Sequence, residues 1–143
     1  MEAHLKFEEI LQYVVVPNLS VVTSQPNSTD KLPDCKGRKD YWRIFNWLRL
    51  QKVKRVLRVI VQDHHPIPHS DEMIERALDG FGVENWDWNK LDICPKTIRK
   101  AAPTIRDLTL YSSGNNAVLR SWSGLGGLAE LKDVSVLFLV HVR

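Results

Sequence analysis

Apolar positions in the second half of the chain switch repeatedly between a two-residue and a three-to-four-residue period. Runs starting at Val53, Val83, Ile105 and Val134 have the two-residue or continuous pattern of strands: VKRVLRVIVQ, VENWDW, IRDLTLY and VSVLFLV. Their Val, Ile, Trp and Tyr side chains fit a pleated, half-buried surface. Between the runs the spacing is helical. Ser70 is placed to cap a helix with Asp71 and Glu72 in its first turn and Met73, Ile74, Ala77, Leu78 and Phe81 on its buried face, with Gly80 and Gly82 as its stop. Pro95 can open a second helix through Ile98, Ala101 and Ala102, which Pro103 ends, and AVLRSW predicts a third.

Upstream, Asp40 is placed to cap YWRIFNWLRL, whose Tyr41, Ile44, Phe45 and Leu48 form an apolar stripe. Leu5, Ile10, Leu11 and Val14 predict a helix over His4–Val16 that Pro17 terminates. Residues 17–39, rich in Pro, Ser, Asn and Asp, predict a long flexible loop. The expected organisation is therefore an N-terminal helix and loop over residues 1–39 and an α/β domain over residues 40–143. Alternating strands and helices imply a mainly parallel four-stranded sheet with right-handed crossovers, preceded by the N-terminal helices. The spacing of about 23 to 30 residues resembles that of leucine-rich repeats. The consensus LxxLxLxxN is absent, so a compact sheet and a degenerate solenoid both remain open.

A chain of 143 residues is long enough for one domain with its own core. Cys35 and Cys94 are far apart and outside any metal-ligand spacing, which points to reduced thiols in an intracellular, cytoplasmic protein. The first residues do not have the layout of a signal peptide, and VSVLFLVHV is too short to cross a bilayer as a helix, so no membrane partner is expected. The net charge is +3, with one dense basic stretch at Arg49, Lys52, Lys54, Arg55 and Arg58. Its position at a helix end and a strand entry accounts for it, and no nucleic-acid partner is expected.

No catalytic motif and no cofactor motif is present. The strongest chemical cluster is Asp63-His64-His65-Pro66-Ile67-Pro68-His69-Ser70-Asp71-Glu72, which follows the end of a strand, where α/β proteins place their sites. Within it His64, His69 and Asp71 are the candidate metal ligands of a small metal-dependent hydrolase. Adjacent histidines that point apart and two stiffening prolines argue instead for a capped polar loop. Residues 112–124, SSGNNAVLRSWSG, pass from a strand into a helix without GxGxxG, GxxxxGK[ST] or GxSxG, so turn and cap roles explain Gly114, Asn115 and Asn116.

The run WDWNKLDICPKTIRKAAPTIRDLTLYSSGNNAVLRSWSG, with GRKDYWRIFNWLRLQKVKRVLRVIVQD and PHSDEMIERAL before it, resembles the N-terminal, non-protease region of large fungal intracellular proteins that carry a subtilisin-like peptidase domain further along. The resemblance spans about residues 37 to 138. It implies an accessory role in regulation, docking or recognition beside a serine peptidase. The peptidase's own DxG, HGTH and GTSxA motifs have no counterpart here, so no catalytic residue is carried over. The expected function is that of a non-enzymatic protein-interaction domain. Its candidate contact residues are Trp86, Trp88, Tyr111 and Trp122, of which Trp86 and Trp88 share one strand face and must either fill the core or stand exposed together.

Overall fold

The computed structural model describes residues 8–18, 38–64 and 67–142. They form an α/β fold in the order β1 (Ile10–Val16), α1 (Asp40–Leu50), β2 (Arg55–Gln62), α2 (Asp71–Leu78), β3 (Asn85–Leu91), α3 (Pro95–Ala101), β4 (Asp107–Ser112), α4 (Asn116–Ser123), a 3-10 turn (Leu128–Glu130) and β5 (Val136–His141). The five strands make one sheet in the order β1-β2-β3-β4-β5, and every neighbouring pair is parallel.

The expectation of four strands falls one short, because residues 10–16 form β1 where the helical spacing predicted part of a helix. Tyr13 and the run Val14-Val15-Val16 are poor helix residues and good strand residues, and the long edge of β2 offers them a ladder. Leu11, Val14 and Val16 stand opposite Val56, Val59 and Val61, extending the apolar face by one strand. Residues 4–7 of that predicted helix and residues 19–37 of the predicted loop lie outside the described residues.

Parallel strands that follow one another in both sequence and space, joined by crossovers of one hand, carry all their connections on one face. Burial bears this out. Val59 and Val61, Trp86 and Trp88, and Leu108 and Leu110 lie at 1% exposure or less and join one core with Tyr41, Phe45, Ile74, Leu78 and Ile98 from the helices. The alternate residues Ile60, Asp87 and Thr109 face the other way and are only half-buried.

Register refines the sequence rhythm. Arg58 stands opposite Asn85, Asn85 opposite Asp107, and Asp107 opposite Val136. The pairing of β2 with β3 thus begins at Arg58, five residues after Val53. Val53 belongs to the helix-to-strand turn: its N–H donates to Leu48 O at 3.1 Å, and Lys52 before it has φ +66°.

Helix ends follow their local chemistry. Ser70 Oγ accepts the Met73 N–H at 3.2 Å, as its position predicts, and Pro95 is the first residue of α3. Asp40 is not the cap of α1. Lys39 holds that position, and Asp40 is the first helical residue, where it accepts from Arg38 Nε and Nη2 at 3.0 and 2.9 Å. A carboxylate there still complements the positive end of the helix dipole.

Candidate protein interface

β2 ends at Gln62, and the loop behind it turns inward. Asp63 is fully buried and His69 is 1% exposed. The Asp63 carboxylate accepts the His69 main-chain N–H on both oxygens at 3.1 Å and contacts His69 Nδ1 at 3.0 Å. The main-chain N–H of Tyr41 donates to His69 Nε2 at 3.2 Å. Nε2 is thereby the acceptor and Nδ1 the donor to Asp63, so both imidazole nitrogens are engaged. The His69 ring also stacks on Tyr41, with centroids 4.2 Å apart.

The other two candidate ligands go elsewhere. Asp71, at the start of α2, is bonded by Lys90 Nζ, by the Cys94 main-chain N–H at 3.0 Å and by Thr97 Oγ1 at 3.4 Å, which ties α2 to the β3–α3 connection. His64 is exposed beside Asn89, 3.4 Å from its side-chain nitrogen. Among the described residues no group of three or more His, Cys, Asp and Glu is placed to hold a metal ion. His65 lies outside the described residues. His64, His69 and Asp71 thus perform three separate tasks and do not converge on a point.

The 112–124 turn is likewise consumed by its own structure. Asp92 accepts the Ser113 N–H at 2.9 Å and the Ser113 hydroxyl at 2.5 Å. Ser112 Oγ accepts the Gly114 N–H at 3.0 Å, and Asn115 caps α4 by accepting the Ala117 N–H at 2.9 Å.

The basic stretch is divided among three surroundings. Arg49 donates to the carbonyls of Arg76, Ala77 and Asp79 at the C-terminal end of α2, and its guanidinium lies 4.5 Å from the Phe81 ring centroid. Burial pulls its pKa below the usual arginine value, with the Asp79 charge opposing. Lys54 pairs with Glu9 at 3.0 Å and Arg55 with Glu84 at 2.8 Å. Arg58 stands exposed on the sheet.

Three of the four aromatic contact candidates are core residues. Trp86 and Trp88 are each 1% exposed, on the helix side of β3, where their rings fill the space between sheet and helices against Phe45 and Tyr41. Trp122 is 4% exposed, with its indole N–H given to Ile93 O at 2.9 Å. None of these three is available to a partner. Tyr111 is different: it points to the open face and donates its hydroxyl to Asp87 Oδ1 at 2.6 Å on the neighbouring strand. Burial first, then the hydrogen bond and charge of Asp87, push its pKa well above the ordinary tyrosine value.

That open face is the best-formed candidate surface. By register, Tyr13, Arg58, Asn85, Asp107 and Val136 form one row across the sheet, and Val15, Ile60, Asp87, Thr109 and Phe138 form the next. Apart from Ile60, polar side chains occupy the middle strands of these rows and apolar ones the margins, with Tyr13 65%, Val15 55% and Phe138 60% exposed. Arg58, Asn85, Asp87, Asp107, Thr109 and Phe138 line a groove of about 80 Å³ on this face. Pockets for small organic ligands run to about 300 Å³ and above, so the groove suits a protruding side chain better than a cofactor. Sequence reasoning missed Asp87 and placed Arg58 only in a basic strand entry, although the polar alternates of RVLRVIVQ, NWDWN and DLTLY carry the signal once the buried face is known.

Among the described residues no helix is long and apolar enough to cross a membrane. Cys94, before α3, is a free and exposed thiol. No family model, no curated protein and no solved structure matches the chain.

Proposed function

We propose that this chain is a non-enzymatic protein-interaction module, an accessory domain of the kind that stands beside a fungal subtilisin-like peptidase, and that a partner segment lies across the sheet face turned away from the helices. The observation behind this reading is that face itself. It carries directional polar groups, Arg58, Asp87, Thr109 and Tyr111, between apolar margins on β1 and β5. Such a mixture orients a partner by hydrogen bonds while apolar contacts supply affinity. Stacked strand-helix units commonly use the face their helices leave open, although a fold alone does not choose a function. The hydrolase reading is not retained, because His69 and Asp71 are committed to structural hydrogen bonds.

The test is capture of partners by the immobilised chain, with a subtilisin-like peptidase domain as the first protein presented. Asp87→Lys and Tyr111→Ala alter the face, and Arg76→Glu alters α2 on the opposite side. All three must keep the circular dichroism of the unaltered chain. A partner held by the unaltered chain and by Arg76→Glu but lost by both face variants supports the reading. Partners that bind regardless of Asp87 and Tyr111 overturn the placement.

A further inference from the structure

β5 pairs with β4 along one side only, and among the described residues its other side pairs with nothing. The strand is uncovered on both faces as well: Val136, Leu137, Phe138, Leu139 and Val140 are 38%, 43%, 60%, 57% and 39% exposed. Natural sheets blunt such an edge with charge, proline or a bulge. Here no Lys, Arg, Asp, Glu or Pro occurs from Val134 to Val142. The segment also reads nearly the same in both directions. Around Phe138, Leu137 matches Leu139, Val136 matches Val140 and Val134 matches Val142, with Ser135 and His141 the single mismatch.

We propose that β5 is a self-pairing edge, which a second copy of this chain joins with its own β5, antiparallel and centred on Phe138. The Val136 and Val142 N–H groups donate to Arg106 O and Ser112 O, at 3.2 and 3.0 Å. Residues in step with them face β4, so Leu137 and Leu139 aim their N–H and C=O groups at the free edge. In a two-fold pair centred on Phe138, Leu137 stands opposite Leu139 of the second copy and exchanges both backbone hydrogen bonds with it. The two Phe138 rings meet at the non-hydrogen-bonded position, where side chains of an antiparallel pair come closest. Val136 meets Val140 of the second copy on the same face. The palindrome thus pairs like with like on both faces, which is what a two-fold interface requires. Two five-stranded sheets become one.

The opposite edge does not compete on these terms. Ile10-Leu11-Gln12-Tyr13-Val14-Val15-Val16 has no such symmetry. A β5-to-β1 contact would be head-to-tail and would grow without closing. One strand pair covers less than the ~1,600 Å² of a standard stable interface, so the dimer belongs to the weak, concentration-dependent class. Phe138 also borders the groove of the partner reading above, but the self-pairing edge does not rest on that reading, and its test uses the purified chain with no other protein present.

The experiment is sedimentation velocity of the full chain over a dilution series from about 100 μM to about 1 μM, a range that brackets weak association. The unaltered chain should move from dimer toward monomer on dilution. Phe138→Lys places two charges at the two-fold axis and should stay monomeric throughout. Leu139→Pro removes an outward N–H without touching the β4 ladder, a position where an edge strand tolerates proline, and should also stay monomeric. Circular dichroism and melting of each variant establish that the fold persists. A monomer at every concentration overturns the proposal. So does a dimer that survives either variant, or growth into larger species.

Discussion

Trp88 on β3 donates its indole N–H to Asp63 Oδ2 at 2.9 Å, just beyond the end of β2, and both side chains are buried. The same carboxylate holds His69 through its main-chain N–H and its imidazole Nδ1. A buried carboxylate is tolerated when donors surround it, and three groups here supply them. Asp63 and His69, two residues of the His/Asp-rich loop, therefore form a clasp with Trp88. It ends β2, sets the entry to α2 and fixes one of the two core indoles of β3.

Replacing Asp63 by Asn keeps the shape but exchanges one acceptor oxygen for an NH2 group that must face an N–H. The expected cost is about 1–3 kcal/mol, the usual penalty for leaving a buried donor without an acceptor. Urea unfolding monitored by tryptophan fluorescence checks it: the midpoint should fall with an unchanged slope. An unchanged midpoint means that the clasp does not hold the core.

Trp86→Ala empties a site that is 1% exposed and should cost about 3–5 kcal/mol; Leu78→Ala, on a fully buried face of α2, about 2–5 kcal/mol. Thermal melts of the single variants are the check. Equal melting temperatures for Trp86→Ala and the unaltered chain would place that ring outside the core. These costs also mean that altering Trp86 and Trp88 together cannot probe an interface, since the fold would be lost first.

Much of the architecture is legible in the chain because the apolar runs VKRVLRVIVQ, VENWDW, IRDLTLY and VSVLFLV each mark one strand, and Ser70 and Pro95 punctuate helices by local chemistry alone. β1 is not legible that way. Ile10, Leu11 and Val14 suit a helix stripe and a strand equally, and the tie is broken by Val56, Val59 and Val61, more than 40 residues away. The site is harder still. Trp86 and Trp88 share a face by their spacing, yet which face meets the helices depends on the handedness of every crossover. Tyr111 and Asp87 lie 24 residues apart and meet only through the β3–β4 register. Sequence can supply such side chains but not their pairing.

Gly114→Ala separates two costs at the junction of β4 and α4. Gly114 has φ +83°, where an L-residue is strained by about 1–2 kcal/mol. A Cβ there would also lie 2.7 Å from His141 Cε1. The strain persists whatever occupies position 141, whereas the contact vanishes in a His141→Ala background. A double-mutant cycle by denaturant unfolding should show Gly114→Ala costing less in that background, with a coupling above about 0.5 kcal/mol. Additive costs would mean that the imidazole turns aside freely and does not hold β5 to this turn.

The Tyr111 phenol gives a pH signature for the open face. Burial, reinforced by Asp87, raises its pKa above the 10.0 of a free tyrosine. As pH rises through that value, the unfolded chain releases the proton while the folded chain keeps it. Stability from this group is therefore complete below about pH 10 and declines above it. Tyr111→Phe lacks the titration, so the stability gap between the unaltered chain and the variant should narrow in that direction, starting from a cost of about 1 kcal/mol or less near neutrality for the lost hydrogen bond. Tyrosinate absorbance gives an independent reading: the difference between the two proteins should stay flat through the ordinary tyrosine range and grow only beyond it. A difference that develops in the ordinary range would mean that Tyr111 is free of Asp87, and the polar centre of the sheet face would lose the contact that fixes its geometry.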